Sequence, residues 1–334
     1  NNVDNVNNVD NVNNVDNVEI ISLLNEFAVI ADIMGEPYKH NAYLNAITSI
    51  KNLNWTIRNN VNRVRMEKIS RVGVGIKKRL IEYATHGFIK DLEQLRTNKN
   101  VIATQIFSKI AGVGPATIKD WLRMRVYNLA QLRRRVGSSA ITLTRMQQYG
   151  LKYYDDLNTR VPRDDATEIG KRVKHILISL QPNIQVAIAG SYRRGALSSG
   201  DIDIIASAAE YDDTLLRNVV GVLESDSNYI DVTMIGLNRL TFLYRYGCVR
   251  QVDVLYVPNS QFHAGMLYFT GDWNFNEVMR GYARKKGYRL NQRGLYQLKP
   301  LKLISVNSEK DIFDILGLKY VEPANRNAFA VVPI

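Results

Sequence analysis

The chain has 334 residues, 46% of them hydrophobic, enough to bury more than one core. Forty-four Lys and Arg against thirty-two Asp and Glu leave a formal charge of +12, so the expected partner is a polyanion, with nucleic acid ahead of a membrane. One cysteine, Cys248, excludes an intrachain disulfide, and no apolar run nears the ~20 residues of a membrane span; with no visible signal peptide, the chain reads as intracellular and not secreted.

Residues 1–18 are three copies of Asn-Asn-Val-Asp-Asn-Val, too poor in apolar side chains to bury themselves, and are expected to form a disordered tail. Residues 19–97 read as a small helical domain, because Ile20, Leu24, Phe27 and Ile30, then Tyr43, Leu44, Ile47 and Ile50, recur at helical spacing. The run from Ile69 to Leu80 reads as helix, a Gly73-Val74-Gly75 hairpin, and helix again, with Lys77, Lys78 and Arg79 adding charge. Glycines let a backbone come close to a phosphate, and the amides that open the next helix face it.

Residues 98–162 stay helical and repeat that pattern at Gly112-Val113-Gly114-Pro115, with the proline where a helix can start. Two such hairpins in a basic chain predict grips on the DNA backbone that ignore base sequence, with Gly73, Gly75, Lys77, Gly112 and Gly114 as contacts. The run Arg133-Arg134-Arg135 reads as a DNA-facing or solvated helix end.

From 163 to 259 a helix is followed by β-rich runs, which predicts an α+β sheet with helices on one face. The loop from Gly190 to Gly200 holds three glycines, three serines and two arginines, material that can wrap a phosphate chain. It leads into Asp201-Ile202-Asp203. Strand side chains alternate faces, so both carboxylates share one side while Ile202 turns into the core. Such a pair beside a phosphate loop suits Mg²⁺, and Asp253 in a later β-rich run offers a third ligand, enough for a two-metal phosphoryl-transfer site.

The order Gly190-Ser191, Arg194-Gly195 and Ser199-Gly200-Asp201-Ile202-Asp203 resembles the nucleotidyltransferase signature of family X DNA polymerases, nearest their polymerase β branch. The likeness extends from about Ile20 to Arg326. It implies an α+β multidomain chain: an N-terminal lyase-like helical domain at 19–97, a second helical DNA-binding domain with its own helix-hairpin-helix at 98–162, a catalytic palm at 163–259 and a C-terminal nucleotide-selection domain at 260–334. The implied activity is template-directed filling of short gaps in base excision repair, by two-metal transfer from a dNTP to a primer 3′-hydroxyl.

By the same resemblance, Asp201, Asp203 and Asp253 hold two Mg²⁺, for which Mn²⁺ can substitute, and Asp253 receives the hydroxyl proton. Arg163, Gly190, Ser191, Arg194 and Gly200 surround the triphosphate. Tyr268, Phe269 and Gly271 lie against the sugar, Asn276 touches the incoming base, Arg280 reaches the template, and Arg239 lies on DNA. A monovalent cation is expected at the hairpin carbonyls. The implied partners are gapped or nicked duplex DNA, dNTPs and repair proteins such as a DNA ligase, for a monomer working in the nucleus or at a cytoplasmic viral replication site.

Several positions depart from the pattern. Gln251 stands where an arginine neighbours the third aspartate, Glu277 replaces a lysine and Trp273 an aspartate. Lys39 and Tyr43 match the phosphate side of a 5′-deoxyribose phosphate lyase pocket. Its nucleophilic lysine falls on Ile81 counted forward from the hairpin, or on Arg79 counted back from Gly87, and neither can form a Schiff base. Lyase activity is therefore expected to be weak or absent, carried by Lys77 or Lys78 if retained. Two alternatives are a template-independent transferase, for which the interval from Asp203 to Asp253 is short, and a non-catalytic DNA-end-binding protein, against which all three aspartates argue.

Overall fold

Side chains three and four residues apart, Ile20, Leu24, Phe27 and Ile30, form the buried face of the first helix, α1 (Val15–Ile33). The computed structural model describes residues 15–327 and 330–334, and the chain divides into two units, 1–152 and 153–334. Of the expected tail, residues 1–14 lie outside the described residues. The helix begins inside it because Asn17 is buried: its amide donates to the Trp55 carbonyl and accepts from the Ile57 N–H, each at 2.9 Å.

In the first unit α1 packs on α2 (Pro37–Lys51), with Phe27 stacked 5.1 Å from Tyr43. The short α3 (Val61–Met66) and α4 (Val74–His86) close this core with Val64, Ile76, Leu80 and Tyr83. Helices α5 (Lys90–Thr97), α6 (Lys99–Phe107), α7 (Pro115–Arg123), α8 (Leu129–Gly137) and α9 (Arg145–Lys152) follow. Asn98 caps α6 and Asn128 caps α8, their side chains accepting from amides of the first turn.

The two glycine turns superimpose in register, but not as the sequence suggests. The Val72 N–H donates to the Ile69 carbonyl as the Val113 N–H does to that of Ile110. Arg71 (φ 56°) takes the left-handed place of Gly112 (φ 79°), and Gly73 caps α4 as Gly114 caps α7. The first turn is thus Arg71-Val72-Gly73, and Gly75 lies within α4 rather than in the hairpin. Helix α9 braces the second turn, since a Cβ on Gly150 would meet the Ala111 nitrogen at 2.6 Å and Gln147 Nε2 donates to the Gly112 carbonyl at 2.9 Å.

The second unit opens with α10 (Tyr154–Asn158), β1 (Val161–Pro162), α11 (Arg163–Leu180), β2 (Gln185–Ile188), α12 (Gly190–Arg193), β3 (Ser198–Ser199), β4 (Ile202–Ala208) and α13 (Leu215–Leu223). Then come β5 (Tyr229–Ile235), β6 (Arg239–Tyr246), β7 (Cys248–Pro258), α14 (Phe262–Thr270) and α15 (Trp273–Lys285). The chain closes with β8 (Tyr288–Asn291), β9 (Gly294–Leu298), β10 (Leu301–Ile304) and α16 (Glu309–Leu316). Five strands form a mixed sheet in the order β2-β4-β7-β6-β5, with β4 and β7 parallel and the other pairs antiparallel. Strands β8, β9 and β10 make a separate antiparallel sheet.

Helices cover both faces of the mixed sheet, not one as the pattern suggested. Ile202, Ile204, Val252 and Val254 face α11 and α13, while Ile205, Leu255 and Val257 face Phe262 and Met266 of α14. A sheet containing a parallel pair needs cover on each side, and the unbroken apolar runs of β4 and β7 supply both faces. Cys248 is half-buried at the start of β7.

Candidate active site

Alternation along β4 turns Asp203 to the α14 face while Ile202 stays in the opposite core. The parallel register sets Asp203 directly beside Asp253 of β7. With Asp201 just before β4, the three carboxylates place ligand oxygens within 4.8 Å of one another. Burial lifts Asp203 well above the usual carboxylate range, with the charges of Asp201 and Asp253 adding to it. Asp201 is raised by burial first and then by Asp253. Three half-buried to buried hard-oxygen donors that repel each other form a set a divalent cation would relieve, so the residues fit such ions.

Asp253 is 2% exposed. Its Oδ1 accepts from Thr241 Oγ1 and from Arg239 Nη2 at 3.1 Å, and its Oδ2 from Gln251 Nε2 at 2.8 Å. The amide of Gln251 therefore keeps a hydrogen bond to the third aspartate without supplying charge, and Arg239, expected on DNA, supplies the charge here instead. Neither Thr241 nor Arg239 could be found from local sequence, since pairing of β6 with β7 brings them to Asp253.

The carboxylates Asp201 and Asp203 line a cleft of 500 Å³ whose other walls include Arg160, Gly190, Ser191, Arg194, Gly200, Tyr268, Phe269, Gly271, Asn276 and Arg280. Gly190 (φ 56°) is required there, because an added Cβ would lie 2.1 Å from Asp203 Oδ2. Ser191 Oγ donates to Ser199 Oγ at 2.9 Å, and Arg194 donates to the Thr270 carbonyl. Arg163 is not on the cleft wall. Its Nη1 donates to the carbonyls of Tyr192 (2.8 Å) and Ala196 (3.1 Å), and its guanidinium lies 3.9 Å from the Tyr192 ring, bracing the loop from behind. Arg160, three residues earlier, takes the open position and donates to Ser198.

Across the cleft, Asn276 Nδ2 donates to the Tyr268 carbonyl at 2.7 Å, and the Arg280 guanidinium lies 5.4 Å from the Tyr268 ring. Phe269 reaches the cleft with one edge and packs the rest into the core beside Ile205 and Met266.

The loop is tied to the C-terminal elements by Glu309, which accepts from Arg193 at both oxygens and from Arg326 Nη1 at 2.9 Å. Burial opposes its charge, but hydrogen bonds to Arg193 and the nearby Arg326 outweigh it and hold the carboxyl below its usual range. Arg326 is 0% exposed, so removing its partner strands a buried cation. Glu309→Ala is expected to cost about 3–5 kcal/mol, read from the denaturant midpoint; a loss below about 1 kcal/mol would show that the cluster is not a tie.

A cavity of 690 Å³ in the first unit is lined by Phe27, Lys39, Tyr43, Arg79 and Asp91 among others. Counted from the corrected hairpin, two residues earlier, the lyase nucleophile falls on Arg79, in agreement with the count from Gly87. Arg79 lies 4.9 Å from the Phe27 ring and pairs with Asp91 at 2.8 Å. Neither Lys77 nor Lys78 lines the cavity, and Lys77 Nζ donates instead to the Glu67 carbonyl at 3.1 Å. Lys39 lines it, held by Glu36 at 2.8 Å.

Clustered carboxylates across a parallel strand pair, facing a serine- and arginine-bearing loop, mark a palm of the nucleotidyl-transfer class. Three family models match in succession: the fingers domain of DNA polymerase lambda at residues 105–158, the DNA polymerase beta palm at 160–259 and the DNA polymerase beta thumb at 265–327. DNA polymerase lambda of Rattus norvegicus is 27% identical over 333 aligned residues, 92% of this chain and 56% of that protein. DNA polymerase lambda of Arabidopsis thaliana is 25% identical over 92% of this chain and 61% of its own length. The chain belongs to family X of the DNA polymerases. It spans little more than half the length of these relatives.

Proposed function

We propose that the chain is a template-directed DNA polymerase that fills short gaps during repair. The observation that carries this reading is the convergence of Asp201, Asp203 and Asp253 within 4.8 Å, with the first two on the wall of the cleft. Two divalent cations held by these aspartates, Mg²⁺ with Mn²⁺ as substitute, would make the primer 3′-hydroxyl more acidic and balance charge on the leaving pyrophosphate. Ser191, Arg194 and Arg160 would hold the triphosphate, a guanidinium fork being matched to phosphate oxygens. Asp253 Oδ1 would accept the hydroxyl proton once Arg239, which is 44% exposed, turns away.

Tyr268 and Phe269 would lie against the sugar, Asn276 against the incoming base, and Arg280 against the template. The turn between β5 and β6 is only residues 236–238, leaving no insertion to cover a template before Asp253. That favours template-directed over template-independent addition. The two glycine turns would act as helix-hairpin-helix grips, Arg71-Val72-Gly73 on one side of a gap and Gly112-Val113-Gly114 on the other, as the parts of domains at 19–97 and 98–162.

In the cavity of the first unit, Arg79 would hold a 5′-phosphate without Schiff-base chemistry, since a guanidinium stays protonated. Primer extension on a gapped duplex tests the whole reading. Template-matched addition of dNTPs, with rNTPs disfavoured and no borohydride-trapped adduct on an incised abasic site, is the expected result. Addition that ignores the template would overturn the polymerase reading, and strong trapping would overturn the assignment of Arg79.

A further inference from the structure

Helix α7 carries the second glycine turn at its N-terminal end, and its other end holds a second cationic feature that this turn does not use. Arg125, Arg134 and Arg135, with Gln131 and Ser138, line a concavity of 440 Å³ in the first unit. No acidic side chain lines it. The nearest acid along the chain, Asp120, is paired with Arg123 at 2.9 Å. Three like charges gathered on one concave surface repel each other in the free protein, an arrangement that an anion would reverse.

Arg125 is held there at a conformational cost. It sits just past the end of α7, where the Val126 N–H donates to the Trp121 carbonyl and closes the last turn, and its φ is 58°. Glycine is the residue that takes this left-handed place without strain. The side chain gained in exchange for that strain is a guanidinium on the concavity.

From these observations we infer that Arg125, Arg134 and Arg135 form a binding site for nucleic-acid backbone phosphates, separate from the two glycine turns. Planar guanidinium forks suit phosphate oxygens, and the chain's +12 charge favours a polyanion over an acidic patch of protein. The nine residues of α7 put the cluster about 13 Å from the turn at the other end of the helix, at ~1.5 Å per residue. At 3.4 Å of rise per nucleotide that is about four nucleotides, so the cluster meets backbone that the turn does not.

The test is binding of a gapped duplex, without nucleotide or divalent metal, followed by anisotropy across a salt series. Arg125→Ala/Arg134→Ala/Arg135→Ala should lower the slope of log K against log salt by about 2.7, at ~0.9 per duplex phosphate. Arg125→Gly should lower it by about 0.9 while raising the melting temperature, a pairing of effects that a merely structural arginine would not give. Probes with and without a single-stranded template overhang separate the sources. Loss on both assigns the site to duplex, and loss confined to the overhang probe assigns it to single strand. An unchanged slope in the triple variant, or a loss of poly-glutamate binding in place of any DNA effect, overturns the inference. No catalytic group is touched, so the result is independent of whether extension is observed.

Discussion

Asp203→Asn should abolish nucleotide addition, by about 10³-fold or more, and yet raise the melting temperature of the metal-free protein. The folded-state affinity of Asp203 for a proton is raised, by burial and then by its two carboxylate neighbours. A carboxyl raised on folding binds its proton more tightly folded than unfolded. It therefore costs stability as pH climbs above its unfolded value, and the cost is complete once pH passes the folded one. At neutral pH the amide removes that cost. A rise of about 2–4 °C corresponds to roughly 1 kcal/mol for a unit of this size. A variant that melts lower than wild type, or extends primers at near the wild-type rate, would sink the account of the site as stored repulsion. Asp253→Ala should lose addition equally but melt lower, because Thr241, Arg239 and Gln251 would all lose their acceptor.

Gly190→Ala should be nearly as damaging to catalysis although it alters no reacting group. Its Cβ would stand 2.1 Å from Asp203 Oδ2, far inside contact distance, so either the carboxylate turns or the loop withdraws. The left-handed backbone adds a further ~1 kcal/mol. The expected result is a fall in kcat of about 10²-fold or more, the scale set by displacing a reacting group by an ångström, with a lowered denaturant midpoint. Unchanged kcat with the variant folded would show that the loop has room to give.

The clustering of the aspartates was legible because period-two alternation fixes the face of Asp201 and Asp203, beside a glycine-serine loop. What escaped lies at longer range or in backbone conformation. Gly75 stands two places after Gly73 and mimics the spacing of Gly112 and Gly114, while the true turn residue, Arg71, bears no glycine to announce its positive φ. Arg160 and Arg163 flank the same dipeptide, Val161-Pro162, and only the pairing of β1 with β3 decides which of them reaches the cleft. The tie of Arg193 to Glu309 spans 116 positions in sequence, which no local pattern can encode. Helix periodicity in the first unit, by contrast, was read correctly, since Ile20, Leu24, Phe27, Ile47 and Ile50 are all buried.

The parallel pairing of β4 with β7 has one more implication. Asp203 faces Asp253 only in the register that also sets Ile202 beside Val252 and Ile204 beside Val254. A slip of β7 by one residue would turn Asp253 into the apolar core against α11 and α13 and carry Val252 and Val254 out of that core to the face of the carboxylates. The apolar pattern of these strands therefore acts as a checksum on the chemistry: a sheet that has buried the right side chains has also brought the carboxylates together, and a misaligned one forfeits both at once.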